Sequence, residues 1–273
     1  MLVIVGGCSE NDGSTGTVRI QITDAPYPVD LIASAEVTID RIEVRVKSDD
    51  DEAYHVLSET PQTIDLIDLR NGVTELLVEA EVPVGLVDQL RLRISEAHVV
   101  LTDDREFDLQ VPSGGSSGLK IFPEPGIEVT GDLTAELLLD CDVSESFKPI
   151  PASARRSEDI DHFQFRPTLR VANLSATGTL SGTVWSDAGT PLILTDDHPI
   201  ADATVRIAAG DDVFFTMTDS DGRFRIMGLS PGVYTVTVSA FDHGENVVAA
   251  TVIVANDVTV GALLLVQNGS GVG

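Results

Sequence analysis

Leu90-Arg91-Leu92-Arg93-Ile94 decides how this chain folds. Aliphatic and charged residues alternate with a period of two, the period at which successive side chains of a strand leave on opposite faces. A helix would scatter the three aliphatics around its axis. The run therefore predicts a half-buried strand, with Leu90, Leu92 and Ile94 in a core and Arg91 and Arg93 in water. Thr17-Val18-Arg19-Ile20-Gln21-Ile22 alternates in the same way. In the next apolar stretch Val37 and Ile39 lie on one parity, while Ile42, Val44 and Val46 lie on the other. The switch at Asp40-Arg41 predicts either a bulge or a strand buried on each face in turn.

Further strands are expected at Ala53–Leu57, Thr63–Leu66, Val99–Leu101, Glu106–Val111, Leu133–Cys141 and Phe163–Val171. Phe147–His162, with Arg155-Arg156 and Glu158-Asp159, reads as a polar excursion between strands. The one stretch with helical character is Val73–Glu81, a turn or two stopped by Pro83. Composition changes near Ser175-Ala176-Thr177-Gly178, and a second strand set follows. It comprises Gly178–Trp185, Ala203–Ala208, Val213–Thr218, Arg223–Ile226, Val233–Ala240, Val247–Val254 and Val258–Val266. Seven strands in about 90 residues is the density of a β-sandwich. The chain thus reads as all-β, two sandwiches in tandem. Residues 1–16 are a leader and tether, 17–175 the first domain, 178–267 the second, and 268–273 a disordered tail. With no long linker between them, the domains are expected to touch.

The 273 residues include 44 acidic and 17 basic side chains, for a net charge of −27. Such a field repels nucleic acid, which is excluded as a partner. Three lysines (Lys47, Lys120, Lys148) stand against 14 arginines. A Lys-poor acidic surface suits high salt, and a GC-rich genome explains the arginine bias equally well. No apolar run approaches a membrane-spanning helix.

Cys8 follows the apolar run Met1–Val5 and the small pair Gly6-Gly7. This resembles the end of a bacterial lipoprotein signal, although leucine is more usual at the position of Val5. The resemblance implies cleavage before Cys8 and acylation of its thiol. A signal also needs a basic n-region and a longer apolar core, so the true start is expected upstream. Ser9–Gly16 then serves as a flexible spacer. The implied location is the cell envelope, lipid-anchored and facing periplasm or exterior. The alternative is a frayed terminus with an incidental cysteine. Cys141, in an apolar strand, reads as a small buried hydrophobe.

The second strand set carries Gly182-Thr183-Val184, Pro199–Val205, Thr218-Asp219-Ser220-Asp221-Gly222-Arg223-Phe224 and Gly228-Leu229-Ser230-Pro231-Gly232-Val233-Tyr234. Together they resemble the carboxypeptidase regulatory-like domain, a transthyretin-like, Ig-like seven-stranded sandwich. That resemblance implies a non-catalytic appendage. The first set carries Ile22-Thr23-Asp24-Ala25-Pro26, Ile39–Val44, Asp65-Leu66 with Asp68-Leu69, Val111-Pro112-Ser113-Gly114 with Gly118-Leu119-Lys120, and Arg166-Pro167. It resembles a bacterial lipoprotein family, the domain of unknown function 4382. Membership implies a surface β domain behind a lipid anchor and brings no reaction with it. Asp24, Ser113 and Lys120 are the candidate ligand-loop residues among these motifs.

Other candidate sites compete with simpler readings. Gly114-Gly115-Ser116-Ser117-Gly118 matches the nucleophile-elbow pattern, which requires a strand before it and a helix after it. Pro123 and Pro125 follow too soon for that helix, so a loop is expected and hydrolysis at Ser116 is the alternative. Asp49-Asp50-Asp51-Glu52, and Asp219 with Asp221, offer hard oxygen ligands for Ca²⁺ but lack EF-hand spacing. Calcium is therefore the one candidate cofactor, and solvated turns are the simpler reading. Trp185, Phe214 and Phe215, with Tyr234 and Phe241, offer a stacking platform for a sugar, against core packing. His55, His98, His162, His198 and His243 are scattered. The sequence reads as a non-enzymatic, lipid-anchored binding or structural module whose partners are a membrane and a surface protein or glycan. A carbohydrate-binding module and a hydrolase are the alternatives.

Overall fold

A computed structural model describes residues 15–25, 31–47, 52–112, 118–154, 156–187 and 197–267. The first domain holds β1 (Thr15–Ala25), β2 (Ile32–Lys47), β3 (Glu52–Ser58), β4 (Gln62–Asp65), β5 (Glu75–Pro83), β6 (Gly85–Leu101), β7 (Glu106–Asp108), β8 (Leu119–Ile121), β9 (Ile127–Val129) and β10 (Thr134–Asp142). A single turn of helix, α1 (Val143–Ser146), then leads to β11 (Phe147–Ile150), β12 (His162–Phe165) and β13 (Leu169–Asn173). The second domain holds β14 (Gly178–Asp187), β15 (His198–Pro199), β16 (Thr204–Ala209), β17 (Asp212–Met217), β18 (Arg223–Leu229), β19 (Gly232–Ser239), β20 (Asn246–Val252) and β21 (Asp257–Val266).

Two sheets face each other in the first domain. One has the order β13-β10-β1-β5, with β1 parallel to β10 and antiparallel to β5. The other is built on the long β2–β6 pair, with β3 and β4 on the outer edge of β2 and β7, β8 and β9 along the outer edge of β6. Val18, Ile20 and Ile22 of β1 meet Val44, Leu90, Leu92 and Val99 of the other sheet in one core, all nearly or wholly sequestered from water. Each such aliphatic contributes about 1.5–3 kcal/mol by leaving water. Leu90, Leu92 and Ile94 point inward as the alternation predicts, and Arg91 and Arg93 stay partly in solvent. The β2–β6 register shifts on both sides of Ile39, so the parity switch is a bulge. On the outer face of the first sheet Arg19 sits in register with Glu79 and Glu136 and bonds to both at 2.8 Å.

Three expectations need correction. Val73–Glu81 is not helical; β5 occupies Glu75–Pro83 and pairs with β1. Its ladder passes from Ile20↔Val78 to Gln21↔Leu76 and leaves Leu77 as an extra, buried residue. That bulge breaks the alternation and imitates helical spacing. Phe163–Val171 is two strands, because Pro167 interrupts the backbone between β12, which pairs with β11, and β13, which pairs with β10. Phe147–His162 is accordingly not loop throughout, since β11 opens it.

The second domain stacks β15-β14-β18, with β21 also on β14, against β17-β16-β19-β20. All seven expected strands are present and the two-residue β15 is added. Leu180, Val184, Val205, Ile207, Phe224, Val236 and Val238 fill the core between the sheets. The Asp221-Gly222 turn closes as expected: Gly222 has φ +71°, and the Asp219 carboxylate accepts from the backbone N–H of Asp221 and Arg223 at 2.9 and 2.8 Å. A Cβ at Gly222 would lie 2.5 Å from the Val184 carbonyl, so glycine is required by space as well as by φ.

Candidate functional site

The motif residues of the first domain fall into two groups. The first group is structural and gathers where the two domains meet. The Thr23 hydroxyl lies 2.8 Å from the Val73 carbonyl and 3.1 Å from that of Leu69. Asp24 is buried, and its carboxylate accepts from the Val143 backbone N–H at 3.2 Å. Burial pushes the Asp24 carboxyl well above the ordinary carboxylate range, the Val143 N–H pulls it back, Asp140 and Asp142 push it further up, and Arg70 opposes them. Asp65 caps the 3-10 turn Leu66–Leu69 through the Ile67 N–H and also holds the Ala35 N–H. These residues tie connections to strands and present no chemistry to solvent.

The seam beside them is specific. The Asn71 side chain donates to the Arg223 carbonyl at 2.9 Å and accepts from the Arg225 N–H at 3.0 Å, so one amide reads the edge of β18 as a strand would. Arg170 bonds to Asp140 at 2.7 Å and to the Gly228 carbonyl at 3.2 Å, and its guanidinium lies 4.5 Å from the Phe214 ring centre. Leu138 and Ala172 face away from the first core and are nevertheless buried, because Gly228 packs on them. The domains do touch.

The second group lines a groove of about 530 Å³. It borders the core residues Leu92 and Ile94; Val111, Pro112, Leu119 and Pro167 supply its apolar wall, and Arg93, Lys120 and Arg166 supply cations. Thus Val111-Pro112, Gly118-Leu119-Lys120 and Arg166-Pro167, separate in sequence, converge on one surface. Arg93 is engaged by Asp40 at 2.6 Å. Lys120 and Arg166 are exposed, and neither side chain has an ion-pair partner among the described residues. No carboxylate occurs among the described lining residues.

The remaining candidates separate. Asp24 does not line this groove; it borders a 20 Å³ cavity at the seam. Cys8, Asp49, Asp50, Asp51, Ser113 and Ser116 lie outside the described residues. Trp185 is half-buried on β14, while Phe214 and Phe215 lie on β17 of the opposite sheet, so the three rings do not form one platform. Phe214 is packed against Tyr234 and Arg170, with ring centres 6.4 Å apart in the aromatic pair. Asp219 spends its carboxylate on the hairpin and Asp221 pairs with Arg223. Among the described residues no group of three or more metal-ligating side chains gathers. Cys141 is buried and free, and desolvation raises its thiol far above the usual range, which keeps it inert.

One serine–histidine contact escaped the sequence reading. Ser186 Oγ lies 2.9 Å from His243 Nε2, and His243 Nδ1 lies 2.8 Å from the Phe241 carbonyl. The carbonyl can only accept, so Nδ1 carries a proton, and in the neutral ring Nε2 then accepts from the serine. Ser186 is only 1% exposed, which leaves its hydroxyl without an approach for a substrate. The pair ties β14 to the turn after β19; with the partners 57 positions apart in the sequence, no local signal could have announced it.

Residues 15–167 match the family described as Domain of unknown function (DUF4382), more than half of the chain. The chain belongs to this DUF4382 family. Residues 179–264 match the carboxypeptidase regulatory-like domain, in the expected order. No curated protein matches the sequence. Among solved structures, the minor pilin GBS52 of Streptococcus agalactiae is 12% identical over 92% of this chain and 97% of its own, with TM-score 0.28. The shaft pilin SpaA of Lactobacillus rhamnosus GG, as its D295N mutant, is 10% identical over 93% of this chain and 100% of its own, with TM-score 0.30. A cohesin–X-dockerin complex mutant from Acetivibrio cellulolyticus is 23% identical over 33% of this chain and 58% of its own, with TM-score 0.25. At these scores the likenesses carry no functional argument for this DUF4382 chain.

Proposed function

We propose that this DUF4382 protein is a non-enzymatic binding module of the cell envelope, held to a membrane through lipid on Cys8. One observation carries the reading: Val111-Pro112 with Gly118-Leu119-Lys120, and the distant Arg166-Pro167, meet on a single groove, whereas Thr23 and Asp24 are consumed in holding strands and turns together. Residues that share a surface without a shared structural task are the mark of recognition. The carboxypeptidase regulatory-like domain is the buttress in this reading, clamped to the first domain through Asn71 and Arg170.

The tether is tested by mass spectrometry of protein produced in a bacterial host from its natural start. An acylated N-terminal peptide beginning at Cys8 is expected; an unmodified thiol behind an uncleaved leader removes the anchor from the proposal. Incubation with ester and peptide reporter substrates is expected to give no turnover above buffer, and turnover abolished by Ser116→Ala would replace the module with a hydrolase.

A further inference from the structure

We infer that the outer face of the sheet β17-β16-β19-β20 packs against the same face of a second copy of this chain. The pairing stands apart from the binding-module reading, which concerns the other domain. These strands send Val205, Ile207, Val236 and Val238 into the core of the second domain, so their alternate residues face solvent. Phe215, Arg206, Thr237 and Val247 lie in register as one row across the sheet. Val213, Ala208, Thr235 and Ala249 form the next. Val213, Phe215, Val247 and the nearby Val233 are 39%, 40%, 55% and 66% exposed, so the apolar surface is open. No Asp or Glu occupies an outward position on these strands, in a chain with 44 acidic residues and a net charge of −27. The other three broad sheets differ. Arg19 meets Glu79 and Glu136 on the outer face of the first. Arg45 meets Asp88 on the β2–β6 sheet, and Arg225 meets Asp257 on the β14 sheet.

Composition says what covers the face. Loss of Asp, Glu and Lys, with Phe215, Met217 and Arg206 retained, is the signature of a protein interface core. A strongly charged partner gains little there, and a glycan finds a single ring, Phe215, to stack on. The complement is an uncharged β surface topped by small and branched side chains, and among the described residues this face is itself that surface. A two-fold contact sets it against its copy. Two sheets then stack about 10 Å apart with strands within about 30° of each other. The stem of Arg206 is long enough to carry its charge to the rim. At strand spacing and rise the face measures about 19 by 20 Å, a footprint of about 400 Å² on each copy. That is the small end of specific contacts, so the pair is reversible and not obligate. The acidic remainder of the surface opposes other contacts, and its reach shortens from about 10 Å at 0.1 M salt to about 3 Å at 1 M. Association therefore grows with salt.

Sedimentation equilibrium of the full chain tests this, from about 10 μM to about 1 mM protein, in about 0.1 M and about 1 M sodium chloride. A monomer–dimer equilibrium is expected, about tenfold tighter at the higher salt. Thr235→Asp, in the middle of the face, should weaken the pair about tenfold or more, because its carboxylate meets that of the copy. Thr60→Asp adds the same charge at an exposed bend of the first domain and should leave the dimer near wild type. Val247→Asp repeats the test at a second exposed position, and circular dichroism checks that each variant is folded. A monomer at every concentration and salt overturns the inference, as does a dimer that Thr235→Asp and Val247→Asp leave intact. Growth past the dimer without limit shows unspecific adhesion and overturns it too. A monomer that adsorbs saturably to insoluble cellulose, and loses this in Thr235→Asp, makes the face a glycan platform instead.

Discussion

Asp24 takes a carboxyl group into a place where a single backbone N–H meets it. Desolvation is the main cause of its raised pKa, and the neighbouring Asp140 and Asp142 add to it. The sign for stability follows from proton linkage. Below the ordinary carboxylate pKa both folded and unfolded chains hold the proton, and Asp24 contributes no pH dependence. As pH rises through that value the unfolded chain releases its proton first, and stability falls until the folded pKa is passed. Asparagine keeps an oxygen for the Val143 N–H and cannot ionise. Asp24→Asn should therefore melt higher than wild type at pH 7, with the difference vanishing at about pH 3, where wild type is protonated in both states. A variant that melts lower at pH 7 would show that the charge is welcome there. None of this is legible in Thr23-Asp24-Ala25-Pro26, because the backbone N–H that meets the carboxyl is contributed 119 residues later. Lys120 and Arg166-Pro167, by contrast, are motif residues, and exposed cations in an acidic chain can be read directly.

β6 shows how far a single element can be read and where that stops. Its alternation places Leu92, wholly buried, and Arg93, part-exposed, on opposite faces. Leu92→Ala should cost about 2–5 kcal/mol by transfer and cavity terms. Arg93→Ala should cost about 1 kcal/mol or less, since its partner Asp40 is near the surface. Paired urea titrations check both, and equal costs would show the strand inverted. What the residues do not show is that Leu90–Ile94 and Val99–Leu101 belong to one strand of 17 residues. Ser95 and Glu96 are exposed and break the apolar rhythm, yet β2 continues the ladder past them. That β8 and β9 join β7 along the outer edge of β6 is equally hidden, because those two pairings are made between distant residues rather than within any window of sequence. At β5 the failure has the opposite form: one inserted residue, Leu77, gave a strand the spacing of a helix.

At the scale of the whole molecule the seam decides whether two sandwiches behave as one. Gly228 has φ +70°, and a Cβ there would lie 2.7 Å from the Ala172 Cβ. Gly228→Val adds bulk and a disfavoured backbone at the same point, and should cost about 2 kcal/mol or more. Gly210, at φ +59° in an open turn with nothing within 4 Å of its would-be Cβ, is the control. Gly210→Ala carries only the backbone penalty, about 1 kcal/mol. Calorimetry should split Gly228→Val into two transitions and leave Gly210→Ala with the wild-type profile; two transitions in both would place the coupling elsewhere. The touching of the domains was readable from the short junction, but the partners were not, since Asn71 and Arg225 meet across 154 residues.

β14 and β21, the first and last strands of the second domain, lie side by side and run the same way, from Thr179↔Asp257 to Asp187↔Val266. Tension applied through the two ends of that domain therefore drags these neighbours past each other along their length. Their hydrogen bonds then share the load together instead of peeling apart one at a time.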